Sequence, residues 1–548
     1  MEYAVRARED RSDWCWGINL LPGKGYLLKR GLVKRYKPRL VTRIRGAELD
    51  RPVDLCDRVG DFWSGRRGLV ILVASLGLGL LLRIATATHY SGALDSDEAV
   101  VGLMAREILH GHFPVFYWGQ QYGGTLEVFI TAALFSIFGS STFILKLVPC
   151  VLDGVACFLV WRVGRRTIGE IPARAASMIF WLWPASFVWS SIKARGFYGV
   201  ALVLALLVML LVIRLRDHQT TSDWLWLGLV LGLGWWTTPE ILFVAVPSLV
   251  WLLVLQRRYL KRVALLVPGA VLGGAPWIVW NLENHLNSLR ATPQPVPHNS
   301  YLNHLSGFFK TGLPGALGLR LPLSSKWIAV PWAAKLAYVV AIVALGAIAW
   351  YWRRRLVLPI AILVAYPFIF ALSPYSWYLA EPRYLLLLSP VLALLVGRAI
   401  TRWSLGLIAI PIVVALTIGG LVVIPTQLPF PKDFGPLDSA LKTHGISHAF
   451  ADYWIAYRLD FESKETVTAS PISPIRNVRI DGEVRSRPNP AYIFFRNSLP
   501  EYQFASQLST LGITDQTFNI GPFDIYLPDR KVTPPSPGMP QGPVEPST

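Results

Sequence analysis

Cysteine is scarce, with 4 residues in a chain of 548: Cys15, Cys56, Cys150 and Cys157. Two fall in an N-terminal tail and two lie seven apart on one face of an apolar stretch, so neither a disulfide framework nor a Cys-based zinc site is supported. Acidic residues are also few, 34 Asp and Glu against 53 Lys and Arg, for a net charge of +19. Such an excess raises nucleic acid as a partner. The basic residues, however, come in short clusters beside apolar stretches, the pattern of cytoplasmic loops in membrane proteins, and nucleic acid is set aside. A secretory signal is missing too: residues 1–67 carry sixteen Lys and Arg against nine Asp and Glu, without an apolar core or a small-residue cleavage site. This segment reads as a basic cytoplasmic tail, either drawn to anionic lipid headgroups or an extension with no role.

What the chain has in abundance is apolar length. It is 53% hydrophobic and only 16% charged, beyond the usual range of soluble domains, and its apolar runs approach the roughly 20 residues that cross about 30 Å of hydrocarbon. The expected fold is a polytopic all-α membrane protein embedded in a lipid bilayer. Eleven spans are predicted at about 68–88, 142–163, 173–191, 197–214, 222–237, 239–256, 262–280, 331–352, 355–372, 383–399 and 404–424. With the N-terminus in the cytoplasm, Arg165–Arg166, Arg214, Arg216, Arg257–Arg258, Arg353 to Arg355, Arg398 and Arg402 all fall on the cytoplasmic side. The apolar stretch from Leu126 to Gly139 is assigned to the outer interface, because counting it as a span would place Arg165–Arg166 outside. The predicted organisation is a tail over 1–67, a transmembrane domain over 68–424, an extracytoplasmic α/β domain over 425–532 and a disordered Pro-rich tail over 533–548. In that third unit 437–445 reads as a short helix ending at Gly445, and 451–461, 491–495 and 523–527 read as strands.

Against this background a few charges stand out. Asp97 and Glu98 follow directly on the first span, in the first turn of an amphipathic run from Ala99 to His110 that reads as a helix lying in the interface. Two readings stay open: good first-turn residues complementing the helix dipole, or paired acids with chemistry to do. Asp95, just before them, and Glu127, at the end of the same loop, are further acidic candidates. Lys193 and Arg195 occupy the tight connection between the third and fourth spans, Glu240 the connection between the fifth and sixth, and Arg383 with Tyr384 the outer start of the tenth. Snorkelling to the interface accounts for Lys193 and Glu240 as well as function does. The two arginines sit on the side that the positive-inside bias disfavours, and guanidinium is the usual partner of phosphate at a desolvated site. Asp153, inside the second span, is kept as a structural polar contact. His285, His298 and His304 lie in the long loop 281–330, where a ligand role and a surface role are not separable.

Outward arginines beside paired carboxylates suit displacement at a sugar carbon bearing a phosphate leaving group. One acid would take the proton of an acceptor hydroxyl. The cations, or a divalent metal ion held by the acids, would stabilise charge on the departing phosphate. Because sugar nucleotides are not normally available outside the cytoplasmic membrane, the donor would be anchored in lipid.

These residues resemble the GT-C glycosyltransferases, in particular the branch of protein O-mannosyltransferases, the lipid A aminoarabinose transferase and rhizobial lipopolysaccharide sugar transferases. The likeness covers about residues 68–400. It rests on Asp97-Glu-Ala99, Gly119-Gln-Gln-Tyr-Gly-Gly-Thr-Leu-Glu127, Phe138-Gly139 with Leu145 to Gly164 following, Gly164-Arg-Arg166, and the segment from Pro382-Arg-Tyr384 to Pro390. The resemblance implies a polyprenyl-phosphate sugar donor, an acceptor that is glycan, lipid or protein, a plasma-membrane location, Asp97 as general base with Glu98 its companion, and a donor-phosphate role for Arg383. Members of the group often place an acid in the second external loop. Here that place holds Lys193-Ala-Arg195, so cations would serve the phosphate instead. The competing expectations are a transporter or flippase of a lipid-linked or anionic substrate, and an envelope assembly factor that has lost its activity.

Overall fold

The computed structural model describes residues 66–534, apart from 90–91, 219, 291–299, 323, 375, 377–378, 380, 403–405 and 425–430. Most of the basic tail, Cys15, Cys56, His298 and nearly all of the Pro-rich end thus lie outside the described residues. Every predicted span corresponds to helix. Among the described residues five helices are long and apolar enough to cross a membrane: Gly68–Thr88, Thr142–Thr167, Tyr198–Asp217, Pro331–Tyr351 and Pro382–Thr401. Their burial differs, and the difference ranks them: Pro382–Thr401 is 83% buried and central, whereas Pro331–Tyr351 is 17% buried and peripheral. Side chains such as Val339, Val343 and Trp350 on the peripheral helix are exposed, as lipid-facing residues must be.

The other spans are shorter or interrupted. The predicted 173–191 span is two helices, Glu170–Leu182 and Ala185–Ser190, broken at Pro184, which has no N–H to continue the ladder. The predicted 262–280 span bends by 68° between Tyr259–Gly273 and Ala275–Glu283. The apolar stretch after Thr125 is a helix, Leu126–Phe138, of 13 residues, short of a crossing. Helices Thr221–Thr237 and Leu266–Gly273 pack backbone to backbone: a methyl group on Gly228, Gly232, Gly269 or Gly273 would overlap a carbonyl of the opposite helix.

Asp153 has a partner that its sequence position does not reveal. Arg83, buried in the first span, donates to it at 2.5 Å, bonds the carbonyls of Gly79 and Trp181 at 3.0 Å each, and lies over the Trp181 ring. The acid is therefore fixed by an ion pair between two spans, as a structural contact.

The C-terminal part is an α/β unit with a five-stranded sheet in the order β4-β3-β5-β7-β6, where β3 is His448–Ala451, β4 Thr468–Pro471, β5 Ala491–Phe495, β6 Asp515–Ile520 and β7 Phe523–Pro528. β3 runs parallel to β4 and β5; β7 is antiparallel to β5 and β6. Alternate residues feed two cores, with Ala449, Ala451, Ile493 and Ile525 on one face and Phe450, Tyr492, Phe494 and Tyr526 on the other.

Two expectations are corrected here. Most of 451–461, read as a strand, is the helix Tyr453–Glu462, begun by Asp452, whose carboxylate accepts the Trp454 N–H at 2.8 Å. The helix is buried on two sides, Ile455, Ala456 and Leu459 against the sheet and Tyr453, Tyr457 and Phe461 against the membrane part. It shows no single apolar stripe, and its aromatic, β-branched composition mimics a strand. The helix after the first span, Ser96–Leu109, does not lie free in an interface: eleven of its residues are buried, because it is sandwiched between Tyr453–Glu462 and Leu126–Phe138. Arg106 donates to the Phe461 carbonyl at 3.0 Å and stacks on its ring, and a side chain at Gly102 would enter that same ring. Gly102→Val is expected to unseat the α/β unit. Limited proteolysis of purified protein should then release the C-terminal fragment faster than from wild type; unchanged protection would show that the seating tolerates the clash.

Candidate functional site

The loop after the first span ends in Asp95, which caps the helix Ser96–Leu109 by accepting the Glu98 N–H at 3.1 Å. That cap places Asp97 and Glu98 in the first turn, where the helix dipole favours negative charge. All three acids are nearly removed from solvent: Asp95 and Asp97 are 8% exposed and Glu98 0%. Buried carboxylates so close together require cations, and these arrive from four other places in the chain.

Glu98 is fully enclosed. Its Oε1 accepts from Lys146 Nζ at 2.7 Å and from the Ala194 N–H at 3.3 Å, and its Oε2 from Lys193 Nζ at 2.8 Å. Lys193 Nζ also reaches the Ala93 carbonyl at 2.7 Å, which pins the 193–196 turn to the first loop. Asp95 takes Arg195 Nη1 at 2.8 Å and Lys193 Nζ at 3.4 Å. Burial alone would raise the Asp95 carboxyl, but Arg195, Lys193 and Lys146 outweigh it and hold the group well below the usual range.

Asp97 is shared between two halves of the molecule. Its Oδ2 accepts from Arg383 Nη1 at 3.2 Å and Arg195 Nη1 at 3.4 Å. Its Oδ1 accepts from the Tyr453 hydroxyl at 2.6 Å and Arg476 Nη2 at 3.5 Å. The Tyr117 hydroxyl, from a hairpin of β1 (Phe116–Tyr117) and β2 (Gln120–Gly124), donates to its backbone carbonyl at 2.7 Å. Burial pushes Asp97 upward; Arg476, Arg383 and Arg195 prevail over that and over the neighbouring charge of Asp95, so the carboxyl stays below its ordinary value and ionised at neutral pH.

The structure thus gathers Asp95, Asp97, Glu98, Lys193, Arg195 and Arg383 into one cluster. Glu127 stands behind the 193–196 turn, its Oε1 accepting the Gly196 N–H at 3.3 Å. Burial lifts its carboxyl to about 7 despite backbone donors from Gly196, Arg195 and Gly199 and the Arg195 charge. Glu240 and Tyr384 stand behind Arg383: Glu240 is buried within electrostatic reach of the guanidinium, and Tyr384 lies beneath it, edge-on to Tyr198. Sequence reasoning missed Lys146, Tyr453, Arg476 and Tyr117. Only Lys146 carried a signal, as a cation a few residues inside an apolar span.

Five cations, Lys146, Lys193, Arg195, Arg383 and Arg476, face the three carboxylates of the Asp95–Glu98 turn, and Arg383 also pairs with Glu381 at 3.6 Å, which leaves an excess of one positive charge. Lys193, Arg195 and Arg383 also line a narrow cleft, whose other walls include Pro149, Asp153, Trp189, Glu381 and Leu386. Asp97 adjoins this cleft through its bonds to Arg195 and Arg383. Among the described residues no three His, Cys, Asp or Glu side chains are grouped to hold a metal ion, and a turn already neutralised by lysine and arginine does not offer a divalent cation a donor set.

A family model for dolichyl-phosphate-mannose-protein mannosyltransferases matches residues 125–280. Among solved structures, ArnT from Cupriavidus metallidurans bound to undecaprenyl phosphate is similar over 85% of this chain and 98% of its own length, at 13% identity and a TM-score of 0.56. The chain shares the fold of ArnT. The apo form of the same ArnT matches it over 84%, and over 97% of its own length, at 12% identity and a TM-score of 0.54. A comparison with curated proteins finds no match.

The raised carboxyl of Glu127 has a consequence for the stability of the protein. Its folded value lies above the ordinary 4.5, so the stability that its neutral form contributes is complete below that pH and is lost as pH rises through about 7. Thermal melts of wild type and Glu127→Gln in detergent should diverge in favour of the variant across that window and run parallel above it. A gap that stays constant with pH would contradict the assignment.

Proposed function

We propose that the protein is a membrane glycosyltransferase that moves a sugar from a polyprenyl-phosphate donor to an acceptor hydroxyl on the outer side of the plasma membrane. The observation that carries this reading is Asp97, an ionised carboxylate whose Oδ2 is held by the same two arginines, Arg195 and Arg383, that line the adjoining cleft. The donor phosphate would lie among Lys193, Arg195 and Arg383, on the side rich in positive charge, with its lipid running into the bundle. The solved ArnT complex, whose ligand is undecaprenyl phosphate, supports a lipid-phosphate donor by likeness of fold.

In the reaction the acceptor oxygen attacks the anomeric carbon as Asp97 takes its proton. The new glycosidic C–O bond forms as the bond from that carbon to the phosphate oxygen breaks, with inversion. The bonding pair leaves with the phosphate, and the flanking guanidinium and ammonium groups stabilise the added charge. Glu98, bonded to Lys146 and Lys193, is fully enclosed, whereas Asp97 keeps some exposure beside the cleft. It orients Lys193 and does not receive the proton. Orientation follows from charge: Arg165 and Arg166 close the helix Thr142–Thr167 at the end away from Lys146, so the positive-inside bias puts the site and the α/β unit outside and the N-terminus in the cytoplasm.

The test compares envelope glycans and glycolipids of a deletion strain carrying wild type with one carrying Asp97→Asn at equal expression. Loss of a general base costs about 10²–10⁴-fold, so the variant should fail to restore a sugar that wild type restores, and that sugar identifies the product class. Arg383→Ala should reduce the same signal. Full restoration by Asp97→Asn would overturn the assignment and favour transport; no sugar difference between deletion and wild type would favour an inactive assembly role.

A further inference from the structure

Both donors to Asp97 Oδ1 come from the C-terminal α/β unit, and both donors to Oδ2 come from the membrane part. We propose that Tyr453 and Arg476 are positioning residues for Asp97, so that the α/β unit supplies half of the environment of the base and the membrane helices alone form an incomplete site. This rests on the transferase reading and assigns it a second structural half.

Three independent features support it. The first is placement: Tyr453 follows the carboxyl end of β3 by two residues and Arg476 that of β4 by five, and these two parallel strands are neighbours. The carboxyl ends of parallel strands are where α/β sheets present their binding loops, and here that edge is turned onto Asp97. The second is rigidity. Arg476 Nε donates to the Tyr453 hydroxyl at 2.6 Å, and that hydroxyl donates to Asp97. Arg476 Nη1 reaches the Trp118 carbonyl at 3.4 Å, and the Tyr457 hydroxyl accepts the Arg476 N–H at 2.8 Å. Gln120, with its amide oxygen toward the guanidinium, accepts from both Nη atoms at 2.8 and 3.1 Å. The pair is clamped between the hairpin and the α/β unit in one geometry. The third is charge. Asp97 is faced by Arg195 from the 193–196 turn, Arg383 from the start of Pro382–Leu388, Arg476 and Tyr453 from the α/β unit, Tyr117 from the hairpin and Asp95 on its own loop, and Arg476 is the guanidinium on the Oδ1 side.

The consequence is directional. Asp97 acts as a base when ionised, so transfer falls on the acidic side as it protonates. Removing the Arg476 charge raises the pH of that fall, because an opposite charge at this range holds a carboxyl down by about one to three pH units. The envelope sugar whose loss defines the deletion strain is the readout, its transfer between the endogenous lipids of isolated membranes followed across roughly pH 3 to 7, with full-length wild type, Asp97→Asn, Arg476→Gln, Arg476→Lys and Tyr453→Phe at equal expression. Melting temperatures of the purified variants are measured alongside. Arg476→Gln is expected to shift the acidic limb upward by about one unit or more and Arg476→Lys to return it toward wild type. Tyr453→Phe should lower transfer at every pH, with its melting temperature close to that of wild type. An inactive Asp97→Asn beside an Arg476→Gln that merely loses signal in proportion at every pH, or loses none, overturns this inference alone. An active Asp97→Asn overturns the transferase reading and this inference with it.

Discussion

Three carboxylates within four residues, all turned away from water, repel one another and are individually costly to bury. An ionised Asp95–Glu98 turn exists only where cations come to it, and leaving one such buried charge without its partner costs about 3–5 kcal/mol. That requirement explains why remote parts of the chain meet here. Lys146 reaches it from the second span, Lys193 and Arg195 from a turn between spans, Arg383 from the start of a central helix and Arg476 from the C-terminal sheet. Charge compensation therefore does for this end of the bundle what apolar burial does for its middle. It ties together elements that already meet in one apolar core, and with Glu381 counted beside Arg383 it leaves one positive charge over.

Which parts of this were legible in advance follows from the kind of signal each residue leaves. The spans were readable because hydrocarbon imposes a length and composition that a single sequence carries openly. Asp97, Arg195 and Arg383 were readable because a charge next to an apolar run is unusual. Lys146 was passed over because one lysine early in a span is absorbed into the hydropathy of its neighbours. Arg476 left no signal at all: it is one arginine among many in a polar domain, and it meets Asp97 across 379 residues. Tyr453 was hidden by a different failure, since a helix buried on two faces loses the 3.6-residue rhythm and its aromatics suggest a strand. The sheet was half readable, with β5 and β7 announced by their composition and β4 and β6 too short or too polar to announce themselves.

The chemistry of the second loop differs from the pattern that the family resemblance leads one to expect. Lys193-Ala-Arg195 stands where an acid is common, and the structure turns both cations inward to the first loop. The positive charge of this turn comes from an ammonium and a guanidinium group.

The glycine seam between Thr221–Thr237 and Leu266–Gly273 bears on how likeness to other proteins is to be weighed. Gly228, Gly232, Gly269 and Gly273 all fall within the matched segment 125–280, whereas Asp95, Asp97, Glu98, Arg383 and Arg476 all fall outside it. A ladder of positions that admits only hydrogen as a side chain is a steric requirement wherever two helices pack so closely. The matched segment thus holds a packing seam together with Glu127, Lys146, Lys193 and Arg195, while the acids those cations bind lie upstream of it.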